Sequence, residues 1–238
     1  MEKEKMRKEV KEVLEQVFGC DSESESESES ESESEREWKW ESIPEVNGLW
    51  VCPQFLSPGR QARIISAMES EKWFPEASIN QAMRFGVEHL PWWASPLAQS
   101  IRRSVEAHEP APLPLELAQR EPLFDQMIAN VYEGGEGICP HVDLLRFDDG
   151  IAILSFLSDC VMHFTHTHTH LSVPVLLTPG SLLLMSGEAR YLWNHQINRS
   201  PLFQIWRGHH LSLSKRISIT LRKLSSSSPP ITLQPPSF

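Results

Sequence analysis

The chain has 238 residues, 40% of them hydrophobic and 23% charged, with a formal net charge of -10. That length suits one globular domain with tails and is enough for a substantial core. It is charged from its second residue and has no 18-residue apolar run, so neither a signal peptide nor a membrane-spanning helix is expected.

Residues 1–19 read as a short amphipathic helix, with Val10, Val13, Leu14, Val17 and Phe18 on one stripe and Gly19 at its end. Docking on a partner and a solvated, frayed helix are both open. The Ser-Glu repeat of residues 22–35 cannot bury apolar area and is expected to be disordered, either as a phosphorylation target or as a spacer. It also dominates the charge: residues 21–37 hold nine acids and one base, contributing -8. The remaining body is nearly neutral. No acid follows Glu188, whereas seven bases do, which is compatible with an RNA substrate without being a strong electrostatic footprint.

The folded body is expected to start near Val46. Gly48 to Leu56 reads as a first strand, and Ser57-Pro58 then opens a helix with Ile64, Ile65 and Met68 on its apolar stripe. The segment from Trp73 to Trp93 is rich in aromatics, most of which are expected to pack the domain. Residues 101–119 should begin helical and become a loop interrupted by Pro110, Pro112 and Pro114.

From Phe124 onward, short apolar runs are separated by turn signals. Ile151 to Leu157, Cys160 to Phe164, Val173 to Leu177 and Ser181 to Met185 each have strand length, with turns at Asp148-Asp149-Gly150 and Thr178-Pro179-Gly180. The His-Thr run from His166 to His170 falls between two predicted strands and is expected to be a loop rather than a second metal site. Cysteines 20, 52, 139 and 160 show no CxxC spacing, so a reducing compartment, cytoplasmic or nuclear, is expected. Cys139 is expected to be a small buried residue.

Five residues within this strand-rich part carry chemistry. His141 and Asp143 are two apart, so on a strand both side chains leave one face. With the distal His195 they make two histidines and one carboxylate, the set that leaves coordination positions open in non-haem Fe(II) oxygenases. Arg216 to Arg222 has a period of two, with Arg216, Ser218, Thr220 and Arg222 on one face and Ile217, Ile219 and Leu221 on the other. This predicts a half-buried strand whose polar face lines a ligand cavity, and its arginines suit a carboxylate.

Asn130-x-Tyr132, His141-x-Asp143, His195 and Arg216-x5-Arg222, in that order, resemble the AlkB family of Fe(II)/2-oxoglutarate dioxygenases. Val173 to Leu177 and Ser181 to His195 look most like the members acting on the tRNA wobble uridine. The resemblance covers roughly residues 50–224. It implies a mainly β fold with flanking helices: a double-stranded β-helix, or cupin-like jelly roll, with an N-terminal helical and lid region. Residues 1–45 and 225–238 are then tails around a dioxygenase domain at 46–224.

The resemblance further implies Fe(II) on His141, Asp143 and His195, with 2-oxoglutarate and O2 as co-substrates. Arg216 would anchor the distal carboxylate of 2-oxoglutarate, and Asn130 and Tyr132 would add hydrogen bonds. Arg222 matches the second family arginine, although six residues of straight strand span roughly 20 Å. Either the two arms converge or Arg222 orders the iron site. Arg84 and Phe85 fall in the region resembling the family's nucleotide lid. The expected reaction is hydroxylation or oxidative demethylation of a nucleic-acid base, RNA or tRNA first, with a protein or small-molecule substrate and a non-catalytic binding module as the alternatives. An RNA-recognition motif is not visible, so RNA binding would come from the domain itself or from a partner protein.

Overall fold

Among the described residues, two large antiparallel sheets and a layer of helices divide the apolar residues into two cores, beside a small two-stranded ribbon, and the division explains the sequence pattern. The computed structural model describes residues 37–76 and 78–226. The expected N-terminal helix, the Ser-Glu repeat and nearly all of the C-terminal tail lie outside the described residues.

The chain runs through β1 (Glu41–Ser42), β2 (Leu49–Cys52), α1 (Pro58–Ser70), β3 (Gln81–Phe85), α2 (Ala94–Glu106), α3 (Leu115–Ala118) and β4 (Gln126–Tyr132). It continues through β5 (Ile138–His141), β6 (Ile151–Phe156), β7 (Cys160–His166), β8 (Ser172–Leu177), β9 (Leu182–Met185) and α4 (Glu188–Tyr191). Strands β10 (Trp193–Ile197), β11 (Ile205–Trp206), β12 (His209–His210) and β13 (Arg216–Arg222) complete it. The larger sheet has the order β1-β2-β9-β6-β13-β4-β3, and the smaller β5-β10-β7-β8. From β4 to β10 the chain passes back and forth between the two sheets. This is the expected mainly β jelly roll with flanking helices.

One core lies between the sheets, joining Leu49, Val51, Ile151, Ile153, Leu183 and Met185 to Phe164, Val175, Trp193 and Ile197. The other lies behind the larger sheet, where Leu154, Leu182, Leu184, Ile219 and Leu221 meet Ile64, Met68, Leu97 and Ile101 of the helices. Strands covered on both faces have no solvent side to mark with polar residues, which is why Leu182–Met185 is apolar throughout. The same cover corrects one expectation. All seven residues of β13 are buried, not half of them, because the helices close its isoleucine face and the smaller sheet faces the other.

Ser57 caps α1 as expected, its hydroxyl accepting from the Arg60 N–H, with Pro58 in the first turn. The first strand is shorter than expected and ends at Cys52, where Pro53 removes the next ladder donor. Packing also reaches upstream of residue 46. The Trp40 indole donates to Ser104 O at 3.1 Å, and β1 pairs with β2. At the turn before β9, Gly180 has φ +82 and a Cβ there would lie 2.6 Å from Leu56 O, so the turn accepts only glycine.

Candidate metal centre

His141 ends β5 and faces His195 of β10 across an antiparallel pair, so the two imidazoles sit side by side with ring centroids 4.2 Å apart. Asp143 lies just past the strand end, not on it, and turns its carboxylate to the same place. One ligand atom from each of the three residues falls within 4.8 Å of the others. Among the described residues, this is the one group of His, Cys, Asp and Glu side chains with such a geometry.

Neighbouring groups prepare each ligand. The carbonyl of Cys139 can only accept, so His141 Nδ1, 2.9 Å away, carries the proton and leaves Nε2 free for a metal. The Cys139 thiol itself is exposed, against expectation, because its role in this contact belongs to the backbone. His195 is 5% exposed, and burial followed by the neighbouring His141 lowers its pKa to about 4. It is therefore neutral at ordinary pH, the form that binds a metal. Burial alone would raise the Asp143 carboxyl, but His195, Arg222, His141 and Arg190 together hold it below its ordinary value.

Arg222 resolves the two options left open for it. Its Nη1 donates to Asp143 Oδ1 at 2.5 Å, while its Nε donates to Gln126 Oε1 at 2.7 Å. Asp143 Oδ2 is left facing His195 Nε2 at 3.6 Å. Arg222 therefore orders the carboxylate of the metal set. At the other end of β13, Arg216 is 3% exposed and donates from Nη2 to Ser155 Oγ at 2.9 Å. Ser155 pairs with Ser218, so the Arg216 guanidinium leans toward the middle of its strand. The remaining gap to Arg222 is about four residues, or roughly 13 Å. Arg216 Nε and Nη1 are buried with no hydrogen-bond partner. Two orphaned N–H groups on a buried cation are what an incoming carboxylate would satisfy.

Asn130 and Tyr132 stand on the same face of β4, opposite Ser218 and Arg216. The Arg216 guanidinium lies 5.4 Å from the Tyr132 ring centroid, and Asn130 Oδ1 accepts from Gln81 Nε2 at 2.7 Å. Edge strand β3 extends this face with Gln81, Met83 and Phe85. The two lid candidates part here. Phe85 shares the metal-side face, with its ring 5.7 Å from the Arg146 guanidinium. Arg84 leaves the opposite face, because the pleat alternates, and stacks 4.6 Å from the Trp73 ring centroid. The His-Thr run forms the β7–β8 turn as expected. His166 ends the strand, packs on Trp193 and accepts the N–H groups of His168 and Thr169.

Sequence reasoning gave no role to Arg190. This fully buried side chain donates to the carbonyls of Asp143, Leu144 and Phe147 at 2.8 to 3.0 Å, holding the loop that carries the metal carboxylate. Arg120 holds the far end of the same loop through the carbonyls of Asp149 and Gly150. Ser155 and Gln126 were missed as well. A lone polar residue inside the apolar run Ile151–Phe156 was the available signal for Ser155.

Residues 48–222 match the 2OG-Fe(II) oxygenase superfamily. The chain belongs to that superfamily. The matched segment is a dioxygenase domain with Fe(II) as cofactor and 2-oxoglutarate and O2 as co-substrates, and its relatives place it with the AlkB proteins, close to ALKBH8. The tRNA (carboxymethyluridine(34)-5-O)-methyltransferase alkbh8 of Xenopus tropicalis is 31% identical over 76% of this chain and 32% of its own length. The RNA demethylase ALKBH9B of Arabidopsis thaliana is 30% identical over 47% of this chain and 21% of its own length. The chain thus spans about a third of the first relative and about a fifth of the second. The solved structure of OsALKBH1 shares the fold, with a TM-score of 0.52 at 13% identity, covering 74% of this chain and 98% of that one. Among the described residues no helix is long and apolar enough to cross a membrane.

Proposed function

We propose that the domain hydroxylates a base in RNA, with tRNA the first candidate, or demethylates one when the hydroxylated carbon is bound to nitrogen. The observation that carries the reading is the similarity to alkbh8 and ALKBH9B, two proteins named for work on tRNA and RNA, along a chain that carries a His-Asp-His set.

The donor set fits the cofactor: two imidazoles and one carboxylate suit Fe(II) and leave one side open. The orphaned N–H groups of Arg216 fit 2-oxoglutarate. His141 through Nε2, Asp143 through Oδ2 and His195 would hold the iron, while Arg216 would take the distal carboxylate beside Asn130 and Tyr132. Iron and 2-oxoglutarate, when bound, supply the oxidising power by which O2 converts the keto acid to succinate and CO2 and places an oxygen atom on a substrate C–H.

The chain's own contribution is placement. Arg222 keeps Asp143 Oδ1 occupied, so the carboxylate offers a metal one oxygen rather than two. Arg190 fixes the loop behind it. Burial of Asp143 and His195 shields those two ligands from water, while His141 stays partly exposed. Met83 and Phe85 give the substrate an apolar approach on the metal side. RNA affinity comes from this domain or from a partner protein bearing an RNA-binding module, and the proposal places the protein in the cytoplasm, the nucleus or both.

Mass spectrometry of nucleosides from cells lacking the protein tests the substrate. Hydroxylated or demethylated bases should fall in tRNA or in other RNA. Unchanged levels of both would remove the RNA assignment and leave the dioxygenase domain untouched. Asp143→Ala, assayed for iron-dependent succinate formation, should drop to background. Turnover that survives this change would show that Asp143 is not a ligand.

A further inference from the structure

Between β10 and β13 the chain leaves the smaller sheet and builds a ribbon that the metal set does not use. It turns through Pro201–Phe203 and then forms β11 and β12, in which Ile205 pairs with His210 and Trp206 with His209. One side chain fixes the segment. Gln204 is 1% exposed, and its amide oxygen accepts from the Val161 N–H at 2.8 Å. Its Nε2 donates to the carbonyls of Val161 and Asn198, at 3.1 and 3.0 Å. The Gln204 carbonyl in turn accepts from the Leu211 N–H at 2.8 Å, which closes the base of the ribbon. Met162 and Phe164 of β7 enter the core between the sheets, so Val161 and His163 leave by the opposite face. The ribbon is therefore bolted to the outer face of the smaller sheet, and the residues it exposes are held in place.

Those exposed residues are cationic and aromatic. Leu202 and Phe203 are 76% and 46% exposed, and the Phe203 ring stands edge-on to His163 with centroids 5.7 Å apart. Arg199 and Arg207 are exposed, and among the described residues neither has an ion pair or a side-chain hydrogen bond. Glu133, in the turn after β4, is taken by Lys215 at 3.1 Å, and residues 189–238 contain no acid. Arg207 carries the most information. It has φ +49 and Gly208 has φ +82, the two positive-φ positions of a two-residue hairpin loop. Asparagine, aspartate or glycine takes the first of these positions with little strain, and arginine does not. The ribbon nevertheless holds an arginine at its tip, with the guanidinium 5.8 Å from the Trp206 ring centroid. What arginine adds there is charge beside an aromatic ring, at the expense of the turn.

We infer that this face is a platform for single-stranded RNA, with phosphates on Arg199 and Arg207 and bases against Trp206 and Phe203. A single strand fits because its unstacked bases offer their faces to a ring, whereas a duplex keeps them covered. The platform also lies within reach of the metal set. Arg199 packs over Gly137, where an added Cβ would lie 3.3 Å from Arg199 Cγ. Gly137 directly precedes β5, and β5 ends at the metal-set residue His141, four residues or roughly 13 Å of strand away. A strand bound on the platform and crossing the β5 edge thus brings a nearby base to the metal side. RNA as the occupant rests on the function proposed above. The surface itself rests on two unpaired arginines, a fixed ribbon and the backbone of Arg207.

The test uses the full chain and two variants at exposed positions, Arg207→Asn and Arg199→Glu. Each is titrated with a short single-stranded oligoribonucleotide and, separately, with a polyglutamate peptide, over about 50 to 200 mM salt. Asparagine suits a positive φ, so Arg207→Asn should melt at or above the wild-type temperature. It should nonetheless bind RNA on the order of tenfold more weakly, with a salt slope shallower by about 0.7. Arg199→Glu should weaken RNA binding by a similar factor, and the affinity of the iron-loaded protein for 2-oxoglutarate should be unchanged in both. If wild type binds RNA and both variants match it in affinity and salt slope, the platform is overturned and the RNA reading stands. If RNA binding is lost in both variants while nucleosides from cells lacking the protein are unchanged, the platform stands and the base-modification reading fails. Wild type that prefers the acidic peptide, or that binds neither ligand, overturns the platform.

Discussion

The two ends of β13 carry the same residue type on the same face and are committed differently. Two nitrogens of Arg222 are engaged: Nη1 donates to Asp143 and Nε to Gln126, and its guanidinium lies 4.1 Å from the Phe147 ring centroid. Arg216 is equally buried, yet one of its nitrogens donates to Ser155 and two have no partner. A buried cation with satisfied donors organises what is already there, whereas one with orphaned donors awaits an anion. On the proposed function, the pair would divide one strand into a metal-ordering end and a ligand-binding end.

Arg216→Gln separates the ends most sharply. It removes the charge proposed to face the distal carboxylate and should raise the KM for 2-oxoglutarate on the order of 100-fold, since losing one partner of a buried charged pair leaves the other unsatisfied. Metal affinity, measured by titrating the apoprotein, should move by less than about threefold. An unchanged KM would mean that the carboxylate binds elsewhere. Arg222→Gln should do the reverse. Without its partner the Asp143 carboxylate is free to rotate, and metal affinity should fall roughly 10- to 30-fold, as for other groups that orient a ligand. The KM for 2-oxoglutarate, measured at saturating iron, should change little. If both variants shift both quantities alike, the two arginines act as one cluster and the division is wrong.

How much of this was legible in sequence follows from what each inference depends on. His141 and Asp143 could be paired because a spacing of two gives a shared side, and the contact survives even though β5 stops at His141. Arg216 and Arg222 could be put on one face by the same period, but their separate commitments could not. Those depend on Ser155, Gln126 and Asp143, which lie 61, 96 and 79 residues away in the chain. Arg190 was illegible for a different reason. Its three acceptors are backbone carbonyls, which carry no side-chain signature, and their positions follow from the path of a loop. The aromatic segment from Trp73 to Trp93 crosses a sheet edge, which its composition does not show. Strand alternation sends Phe85 to the metal side and Arg84 to the helices, and no composition window resolves a change of face within two residues.

The ends of β13 should also differ in acid. At the metal end, the unfolded chain protonates His195 near its ordinary 6.5 and the folded chain only near 4. Between these values the unfolded state binds more protons, so the stability of the metal-free protein falls as pH falls through that window. The Asp143 carboxyl is held below its ordinary 3.8, so its contribution is lost only at still lower pH. At the other end, burial pushes the Cys160 thiol beside Arg216 upward, out of the acid range altogether. Melting in a chelator from pH 7 to pH 4 should show a loss of about 3 kcal/mol attributable to His195, or roughly 6–12 °C for a domain of this size. His163, also lowered by burial, contributes with the same sign, so the difference between wild type and His195→Asn isolates the metal end. An identical pH slope in the two proteins would place the acid sensitivity outside the metal set. A flatter slope in His195→Asn, with Arg216→Gln unchanged from wild type, would assign it to the end of the strand that Arg222 organises.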